Sequence, residues 1–419
     1  MAAVRLAFLT HEPFHPASGG GSAEAIYLVR EFVRRGHELH LFCPEFDGRD
    51  AIAREFGIAI HPFTRWEMGR YTRARNLKYL LYPSALAAHV RGRLANLRGI
   101  DPAFRFDLLF AQHTISAVAA GRLRKPLGTP IVLNFLDYLT GFMETWPGWI
   151  MPRTFVRMLT RFELSLPKRY SADGILTVSV PLAERFLATG LLRERVKPIY
   201  YGYDAQLFQP LPDKSVPIAD SAVPTVLMHG SFDQHHLGPV AREAVTRIAA
   251  ERSDVLFRFA GRETPTLRRF AHDLRHRPQP VRIELIGFVP YSEIAQQVRV
   301  ATVGLVPYEE SNGTHCAFVA KAVEYLGCGV PVASTPLENL RRYFQREPAV
   351  KFSARFNGGE LASEVLAWLA MPTEERRRLG HAAAVRMAKE LDWPVVTGHA
   401  VDFAETVAAR TSSERKIGR

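Results

Sequence analysis

The fold is decided by residues 4–44, which read VRLAFLTHEPFHPASGGGSAEAIYLVREFVRRGHELHLFCP. Two short apolar runs flank a segment in which Ile26, Val29 and Val33 recur at the spacing of one helix face. Strand, helix and strand in this order favour two parallel strands in one sheet. These residues therefore predict the first repeat of a parallel, doubly wound α/β domain.

The same alternation continues to about residue 203 and resumes at residue 225. The later strands of the first half are predicted at FDLLFAQ, PIVLNFL, DGILTVS and VKPIYYG. Those of the second half are predicted at TVLMHGS, VLFRFAG, RIELIGF, ATVGLVP and VPVAST. Two Rossmann-like halves of this kind leave a cleft between the C-terminal edges of their sheets, where such folds bind ligands.

Domain boundaries follow from a stretch between the halves that is dense in proline and polar residues, as linkers are. At 419 residues the chain also exceeds what one core usually organises. We expect an N-terminal domain over 1–203, a linker over 204–224, a C-terminal domain over 225–393, and a C-terminal helix over 394–419 that is free to pack on the first domain.

The composition and the first residues predict a cytoplasmic protein, either free or attached to the inner face of the membrane. No apolar run approaches the roughly 20 residues that span a bilayer, and Arg5 interrupts the first apolar run, unlike a secretory signal. The three cysteines lack a CxxC spacing, which favours buried thiols over disulfides or a zinc site.

Basic residues give a net charge of +12, so the surface should attract anions. No nucleic-acid-binding motif accompanies the charge, and we expect no nucleic-acid partner. Residues 64–98 and 149–169 mix arginines with aromatic side chains, which is typical of helices on an anionic membrane surface. An ordinary surface helix fits the pattern equally well. The membrane interpretation implies a peripheral protein at the inner face of the membrane and a lipid-linked acceptor.

Residues 320–335, AKAVEYLGCGVPVAST, carry the most chemical information. Glu324 lies one helical turn after Lys321, and a Gly-Cys-Gly turn then leads into a buried strand. A glutamate at the C-terminal edge of a sheet is placed to accept both hydroxyls of a ribose. On spacing alone, Lys321 and Glu324 are equally an i,i+3 surface pair.

Three ordered segments resemble the retaining GT-B glycosyltransferases of family four, also called glycosyl transferases group 1. AKAVEYLGCGVPVAST is similar to their KxxEYLAxGxPVV donor segment, and SGGGSAEAIYLVREFVRRGHELHLF to their glycine-rich opening. ADGILTVSVPLAERF, followed by YYGYDAQLFQP, is similar to two further segments in the same order. The resemblance covers nearly the whole chain, and the ordered matches make it specific.

The resemblance implies a GT-B fold and an enzyme that transfers a sugar from a UDP-, GDP- or similar nucleotide-sugar donor. The acceptor would be a sugar, a lipid-linked molecule, a cell-envelope glycan or a natural product. It further implies retention of anomeric configuration without a metal or any other cofactor. The leaving phosphate would itself help to deprotonate the acceptor.

Carried over residue by residue, the resemblance places the donor in the second domain. Glu324 would hold the ribose, with Lys321 beside it as a further catalytic candidate. Backbone amides at the helix start would face the donor phosphates, and Gly287 would lie in the loop that packs on the base. The remaining donor candidates are Gly20, Gly21, Ser231, His235, His236, Arg262, Phe288, Cys316, Phe318, Val319 and Ala320.

The chain departs from the family where the donor diphosphate should bind. Ser231 and Leu237 stand where the family has an arginine and a lysine. A leaving diphosphate needs positive charge or oriented donors, which His235, His236 or Arg262 would have to supply. Solvated loop histidines are the alternative interpretation. A milder departure is Cys316, where the family often has a glutamate for the donor sugar, although many relatives of the KxxE kind also lack it.

Acceptor candidates lie in the first domain. Asp137 follows the strand after which the family usually has a histidine that contacts the transferring sugar, and it is our catalytic and acceptor-binding candidate there. His113 and Asn134 lie at strand ends, where helix caps are the alternative. Gly19 begins a three-glycine run that either lets the backbone approach a substrate closely or forms a flexible turn.

Two other functions remain open. The missing basic pair and histidine also fit a catalytically degenerate GT-B protein that binds a partner or a sugar nucleotide. A phosphorylase or epimerase built on the same two-domain plan is the third alternative.

Overall fold

The structure is a computed structural model of the chain. It describes residues 3–17, 20–63, 75–146, 148–149, 151–211 and 223–417, without the side chains of 75–80 and 412–417. The chain divides into two compact units. The first unit contains 1–139, 157–200 and 394–419, and the second contains 140–156 and 201–393.

The first unit is built on a seven-stranded parallel sheet with the spatial order 3-2-1-4-5-6-7. Its strands β1 to β7 cover Arg5–Leu9, Glu38–Pro44, Ala59–Phe63, Leu108–Gln112, Ile131–Phe135, Gly174–Thr177 and Val196–Pro198. Strands β4 and β5 are buried at every position, as expected for a sheet covered by helices on both faces.

Before residue 200, the described ranges contain seven α-helices. These helices, α1 to α7, cover Gly20–Arg34, Arg49–Phe56, Arg75–Ile100, His113–Leu127, Leu139–Phe142, Arg153–Arg169 and Val180–Leu187. Short 3-10 helices cover Met143–Thr145 and Arg193–Arg195. Helix α1 buries Ile26, Val29 and Phe32 in the core of the first unit, which confirms the helix-face pattern of the sequence.

The second unit is built on a six-stranded parallel sheet with the spatial order 10-9-8-11-12-13. Its strands β8 to β13 cover Thr225–His229, Leu256–Ala260, Ile283–Gly287, Val303–Val306, Val332–Ser334 and Val350–Phe352. Its helices α8 to α15 cover Pro239–Glu251, Pro265–Arg275, Tyr291–Arg299, Asn312–Cys316, Ala320–Gly327, Glu338–Phe344, Gly358–Ala370 and Thr373–Leu391. The predicted pair of parallel, doubly wound α/β domains is therefore confirmed.

The last helix, α16 (Trp393–Ile417), contributes its apolar side to the core of the first unit. Val401, Ala404 and Val407 lie in the same cluster as the side chains of β1. Arg35 of the first unit binds this helix through Asp402 at 2.6 Å and Glu405 at 3.1 Å.

One boundary differs from the sequence expectation. Residues 140–156 group with the second unit, whereas the sequence assigns all of 1–203 to the first domain. The carboxylate of Glu144 accepts hydrogen bonds from the backbone N–H and the side-chain amide of Asn312, at 2.9 and 2.7 Å. These contacts tie the segment to the start of α11.

Two further observations bear on the sequence expectations. The three cysteines are buried, in agreement with the prediction, and none forms a disulfide. None of the helices in the described ranges combines the length and hydropathy that a bilayer-spanning segment needs.

Candidate functional site

The strand order of the second unit reverses between β8 and β11, which are neighbours in the sheet. Loops on either side of such a switch point leave in opposite directions and open a crevice for ligands. Here the two loops are joined directly, because the backbone N–H of Glu309 donates to the carbonyl oxygen of His235 at 2.9 Å. The sequence-predicted donor residues Ser231, His235 and His236 lie in the first of these loops.

Glu324, on α12, is buried at 7% exposure. Its Oε2 accepts a 2.6 Å hydrogen bond from Nε2 of His229, the last residue of β8. The neighbouring Tyr325 hydroxyl donates to the carbonyl of Leu227 at 3.0 Å and accepts from the N–H of His229 at 3.2 Å. Helix α12 is thereby locked to the end of β8, and the carboxylate is held in one orientation.

Lys321 turns to a different set of partners. Its ammonium donates to the Tyr308 hydroxyl at 2.8 Å and lies 3.4 Å from Nε2 of His236. Its stem passes Gly230, where φ is 97° and an added Cβ would lie 2.6 Å from the lysine Cε. Position 230 therefore requires glycine, both for its positive φ and for the space that the lysine stem occupies. The ammonium of Lys321 lies against the loop after β8. The structure disfavours the surface-pair interpretation of Lys321 and Glu324.

The loop after β8 holds two adjacent histidines with ring centroids 3.9 Å apart. His236 is buried and His235 is partly exposed. Side-chain ligand atoms of Asp233, His235 and His236 all lie within 4.8 Å of one another. Leu237, which the sequence comparison with the family places opposite a lysine, packs in the core of the unit.

The ends of β9 and β10 carry an exposed cation–π pair. The Arg262 guanidinium lies 5.2 Å from the centroid of the Phe288 ring, which is 61% exposed. The loops are fixed by a 2.7 Å hydrogen bond from the N–H of Gly261 to the carbonyl of Gly287. The structure thus brings the predicted residues Arg262, Gly287 and Phe288 together at one edge of the sheet.

The segment before α12 offers its backbone to a ligand. The side chains of Cys316, Phe318 and Val319 are all buried, and Ala320 begins the helix. Val319, the N-cap residue, provides no side-chain hydrogen bond to the first amides of the helix. The N–H of Ala322 donates to the carbonyl of Val319 at 3.0 Å, and the positive end of the helix dipole lies at this start.

A cavity of about 410 Å³ lies beside the histidine loop and is of ligand size. Its lining residues are Thr145, Gln234, Leu237, Gly238, Pro239, Glu309 and Glu310. The carboxylate of Glu309 accepts the N–H of Val240 at 2.8 Å and so caps α8. Burial raises the pKa of Glu309 above its ordinary value. The hydrogen bond from Val240 lowers the pKa but does not cancel the effect of burial.

The first unit has a corresponding switch point between β1 and β4. Glu24, on α1, is buried there, and its Oε2 accepts from the side-chain amides of Gln112 at 2.8 Å and Asn134 at 2.9 Å. Burial raises the pKa of Glu24 to about 7, and the two amide hydrogen bonds oppose that rise. The negative charge of the exposed Asp137 also raises the pKa of Glu24. Asn134, which is predicted to contact the acceptor, is buried at 3% exposure and donates to Glu24.

His113 begins α4 with φ at 66°, a conformation that a residue other than glycine adopts rarely. Its Nε2 is buried and has no hydrogen-bond partner among the described residues. An added Cβ at Gly21 would collide with both the Glu12 carboxylate and the His113 imidazole. His11 packs edge-on against His113 with centroids 5.1 Å apart. Of the other predicted glycines, Gly20 begins α1 and Gly19 lies outside the described residues.

Sequence reasoning missed His229, Glu12 and Glu24. His229 had a detectable signal, since it is a polar residue that ends an otherwise apolar strand directly before a glycine. Glu24 had none, because a glutamate in the first turns of an amphipathic helix usually faces water.

Comparisons with solved structures agree with the fold. The chain is similar to Anabaena Alr3699/HepE in complex with UDP and glucose, with 16% identity over 96% of this chain and 100% of that one and a TM-score of 0.70. It is also similar to the sucrose-phosphate synthase tll1590 from Thermosynechococcus elongatus, with 17% identity, coverage of 97% and 100%, and a TM-score of 0.75. A search of curated proteins found no match.

Family models match both units. Residues 18–207 match the model described as Glycosyltransferase Family 4, and residues 223–370 match Glycosyl transferases group 1. Together these matches cover most of the chain, and they agree with the two doubly wound units described above. The protein belongs to glycosyltransferase family 4 and has the GT-B fold.

Proposed function

We propose that this glycosyltransferase takes its sugar from a nucleotide-sugar donor and that Glu324 holds the donor ribose. The observation that carries the proposal is the buried Glu324–His229 pair at the switch point of the second unit. His229 occupies one carboxylate oxygen and fixes its direction, which leaves acceptor positions for the two ribose hydroxyls. Structures of HepE in complex with UDP and with UDP-glucose make UDP the first nucleotide to test.

The donor phosphates would meet the start of α12 and the ammonium of Lys321. Exposed amides at a helix start bind phosphate, because they combine free N–H groups with the positive end of the dipole. Lys321 lies one residue into this helix and adds a full charge. Charge that is already in place when the diphosphate leaves lowers the barrier to transfer.

The base would pack on Phe288. Its ring is 61% exposed although it is large and apolar, and Arg262 lies over it. Stacking on an aromatic side chain stabilises a base by about 1–3 kcal/mol and tolerates any base. This part of the site therefore supports nucleotide binding without selecting uracil over guanine.

Transfer would proceed with retention and without a protein nucleophile. The bond between the anomeric carbon and the diphosphate breaks while the acceptor oxygen bonds to the same face of that carbon. The acceptor proton passes to the departing phosphate oxygen. Asp137 and His113, at the carboxyl edge of the first sheet, are the residues we assign to the acceptor.

Helix α6 supports a membrane-associated, lipid-linked acceptor. Met158 and Phe162 are 55% and 37% exposed, whereas an ordinary surface helix turns its large apolar residues inward. Arg157 and Arg161 are exposed beside them, and Glu163 of the same helix is buried at 2% exposure. An exposed apolar stripe flanked by cations matches an interfacial helix on an anionic surface. Residues 64–74, in the other predicted membrane segment, lie outside the described residues.

Calorimetric titration with UDP tests the donor site. Glu324→Gln keeps the side-chain shape but removes the charged acceptor, so the affinity for UDP should fall at least tenfold with an unchanged melting temperature. Glu374→Gln, an 86%-exposed glutamate on α15, is the matched control. Equal UDP affinity in both variants would remove Glu324 from the site.

A panel of UDP- and GDP-sugars separates the enzyme from the degenerate alternative. Hydrolysis or transfer of any one donor supports the enzyme. Binding of donors with neither reaction supports a degenerate protein. Release of a free sugar phosphate would point to a phosphorylase.

A further inference from the structure

Two polar side chains at the carboxyl edge of the first sheet close on one glycine. Glu12 follows β1, and His113 follows β4. A Cβ added at Gly21 would collide with both Oε2 of Glu12 and Nε2 of His113. Glycine at this position is therefore what allows a carboxylate and an imidazole to approach the same point of the backbone.

A buried network joins the backbone on which these side chains stand. Gln112 directly precedes His113, and its Nε2 donates to the carbonyl of Gly21 at 2.8 Å. Its Oε1 accepts from the Thr10 hydroxyl at 3.1 Å, and the same hydroxyl accepts the N–H of Glu12 at 3.3 Å. Gln112 and Thr10 are buried at 0% and 1% exposure. The carboxylate and the imidazole are therefore positioned together.

His113 carries two unfavourable features. Its Nε2 is buried and has no hydrogen-bond partner in the described part of the chain, so the Glu12 carboxylate does not bind it directly. Its φ of 66° lies in the left-handed region. Strained residues and buried polar atoms without partners are typical of positions where a ligand supplies the missing partner.

A hydroxyl group has the chemistry that this pair needs. Its oxygen carries one proton and two lone pairs, so it can donate to the carboxylate of Glu12 and accept from the imidazole of His113. Both side-chain atoms lie within less than a van der Waals contact of one point, so one oxygen can reach both. A phosphate or carboxylate would be repelled by Glu12. The pair therefore selects a neutral hydroxyl over an anion.

The hydroxyl held by this pair is distinct from the one that reacts. In the proposed transfer the reacting hydroxyl gives its proton to the departing phosphate. A hydroxyl has one proton, so the group that donates to Glu12 is a second hydroxyl of the same acceptor. An acceptor with two hydroxyls near its reacting end is a sugar or another polyol.

We propose that Glu12 and His113 bind a non-reacting hydroxyl of the acceptor, which therefore ends in a sugar or another polyol. The inference rests on the proposed function and extends it, because it narrows the acceptor class and adds Glu12 to the site. A lipid-linked acceptor would then present a sugar or polyol headgroup and not a bare lipid phosphate.

Ligand-observed NMR titration of the full chain, with and without saturating UDP, tests the site. The probes are the methyl α-glycosides of glucose, galactose, mannose and N-acetylglucosamine, with geranyl phosphate as the anionic comparison. We expect at least one glycoside to bind, and to bind more tightly than geranyl phosphate. Glu12→Gln should weaken its binding at least tenfold, because the charged acceptor is lost. Glu55→Gln, on a 60%-exposed glutamate of α2, is the matched control and should change nothing.

Two further measurements separate binding from a structural role. Glu12→Gln should strengthen the binding of geranyl phosphate while it weakens that of the glycoside, and a folding defect does not produce changes of opposite sign. Monodeoxy derivatives identify the hydroxyl. One of them should bind the unmodified protein as weakly as the parent glycoside binds Glu12→Gln, with no further loss when the two changes are combined.

His113→Asn tests the imidazole separately. Asparagine tolerates the left-handed backbone conformation, so the variant removes the ring without adding strain. Its binding of the glycoside should also fall at least tenfold. Melting temperatures are measured for both variants, so that a folding defect in one leaves the other as the test.

The outcomes distinguish this inference from the donor site. Three results would overturn the acceptor inference: no glycoside binds, neither Glu12→Gln nor His113→Asn weakens glycoside binding, or geranyl phosphate binds more tightly than every glycoside. UDP binding that depends on Glu324 would stand in each of these cases. Glycoside binding through Glu12 in a protein that binds no UDP would overturn the proposed donor site alone.

Discussion

The Nε2 atom of His229 lies 2.6 Å from the Oε2 atom of Glu324, although 95 positions separate the two residues in the sequence. The hydrogen bond joins the end of β8 to α12, and β11 lies between β8 and β12 in the sheet. The carboxylate is therefore oriented by the sheet and not only by its own helix. A hydrogen bond to a buried charged group is worth more than one between neutral groups.

Replacing His229 with phenylalanine should weaken UDP binding about 10–100-fold, because a hydrogen bond to a charged group contributes about 1.5–3 kcal/mol. The substitution keeps a ring in place and leaves Glu324 buried without this donor. Calorimetric titration with UDP measures the effect, and His272→Phe, on the exposed α9 surface, is the control. Unchanged UDP affinity in His229→Phe would show that the pair has no part in donor binding.

Gly230→Ala should lower stability more than Gly48→Ala does. Both glycines have positive φ, 97° and 75°, so both alanines carry backbone strain of about 1–3 kcal/mol. Only at Gly230 does the new Cβ meet another residue, at 2.6 Å from Cε of Lys321, whereas Gly48 has open space around it. The difference between the two melting temperatures isolates the contact with the lysine.

The same pair of variants separates strain from function. Displacing Lys321 should also weaken UDP binding in Gly230→Ala, while Gly48→Ala should bind UDP as the unmodified protein does. If Gly230→Ala and Gly48→Ala lose equal stability and bind UDP with equal affinity, the side chain of Lys321 moves away from the new Cβ at no measurable cost.

The strands were largely predictable because buried parallel strands leave long apolar runs. All eleven predicted strands contain an observed one. The two that were missed, β3 and β13, lie at sheet edges. β3 contains Pro62, which is unfavourable inside a sheet, and β13 is three residues long.

The partners within the sites were harder to predict, because they depend on which strands become neighbours. Gln112 and Asn134 both donate to Glu24 from positions 88 and 110 residues away. Nothing in the local pattern indicates that a glutamate on α1 is buried. Glu324 was identified as a candidate through its motif, whereas its partner His229 could be identified only from the order of the strands in the sheet.

Glu24 should make the protein less stable as pH rises. Its pKa is about 7 in the folded protein, above the ordinary value of 4.5, so the folded state binds the proton more tightly than the unfolded state does. Its contribution to stability is present below about pH 4.5 and is lost as pH rises to 7. The loss amounts to about 3 kcal/mol, since each pKa unit corresponds to about 1.4 kcal/mol.

Glu24→Gln tests this contribution. Glutamine cannot ionise, and its carbonyl oxygen can accept from the same two amides, so the variant should gain stability relative to the unmodified protein between pH 5 and pH 8. Thermal unfolding at several pH values measures the gain. Glu38→Gln is the control. Burial raises the pKa of this exposed glutamate of β2, but hydrogen bonds from Arg5 and His40 lower it by more. Glu38 therefore titrates below this range, and its variant should differ from the unmodified protein by a constant amount. A constant difference between Glu24→Gln and the unmodified protein across this range would mean that Glu24 does not titrate there.

The exposed face of α6 should decide membrane binding. Each basic residue near an anionic surface contributes about 1 kcal/mol, so Arg157→Glu/Arg161→Glu should weaken binding to vesicles that contain phosphatidylglycerol by about 30-fold or more. Met158→Ser/Phe162→Ser should weaken it independently of charge, because both side chains are exposed and apolar. Vesicle sedimentation measures both effects.

A matched charge reversal controls for net charge. Arg268→Glu/Arg269→Glu alters two exposed arginines on α9 of the second unit and should leave sedimentation unchanged. Added salt should weaken binding of the unmodified protein more than that of the Arg157→Glu/Arg161→Glu variant, because screening acts on the charges that the variant lacks. Equal losses for the two charge reversals would mean that overall charge, and not the α6 surface, attracts the protein to the membrane.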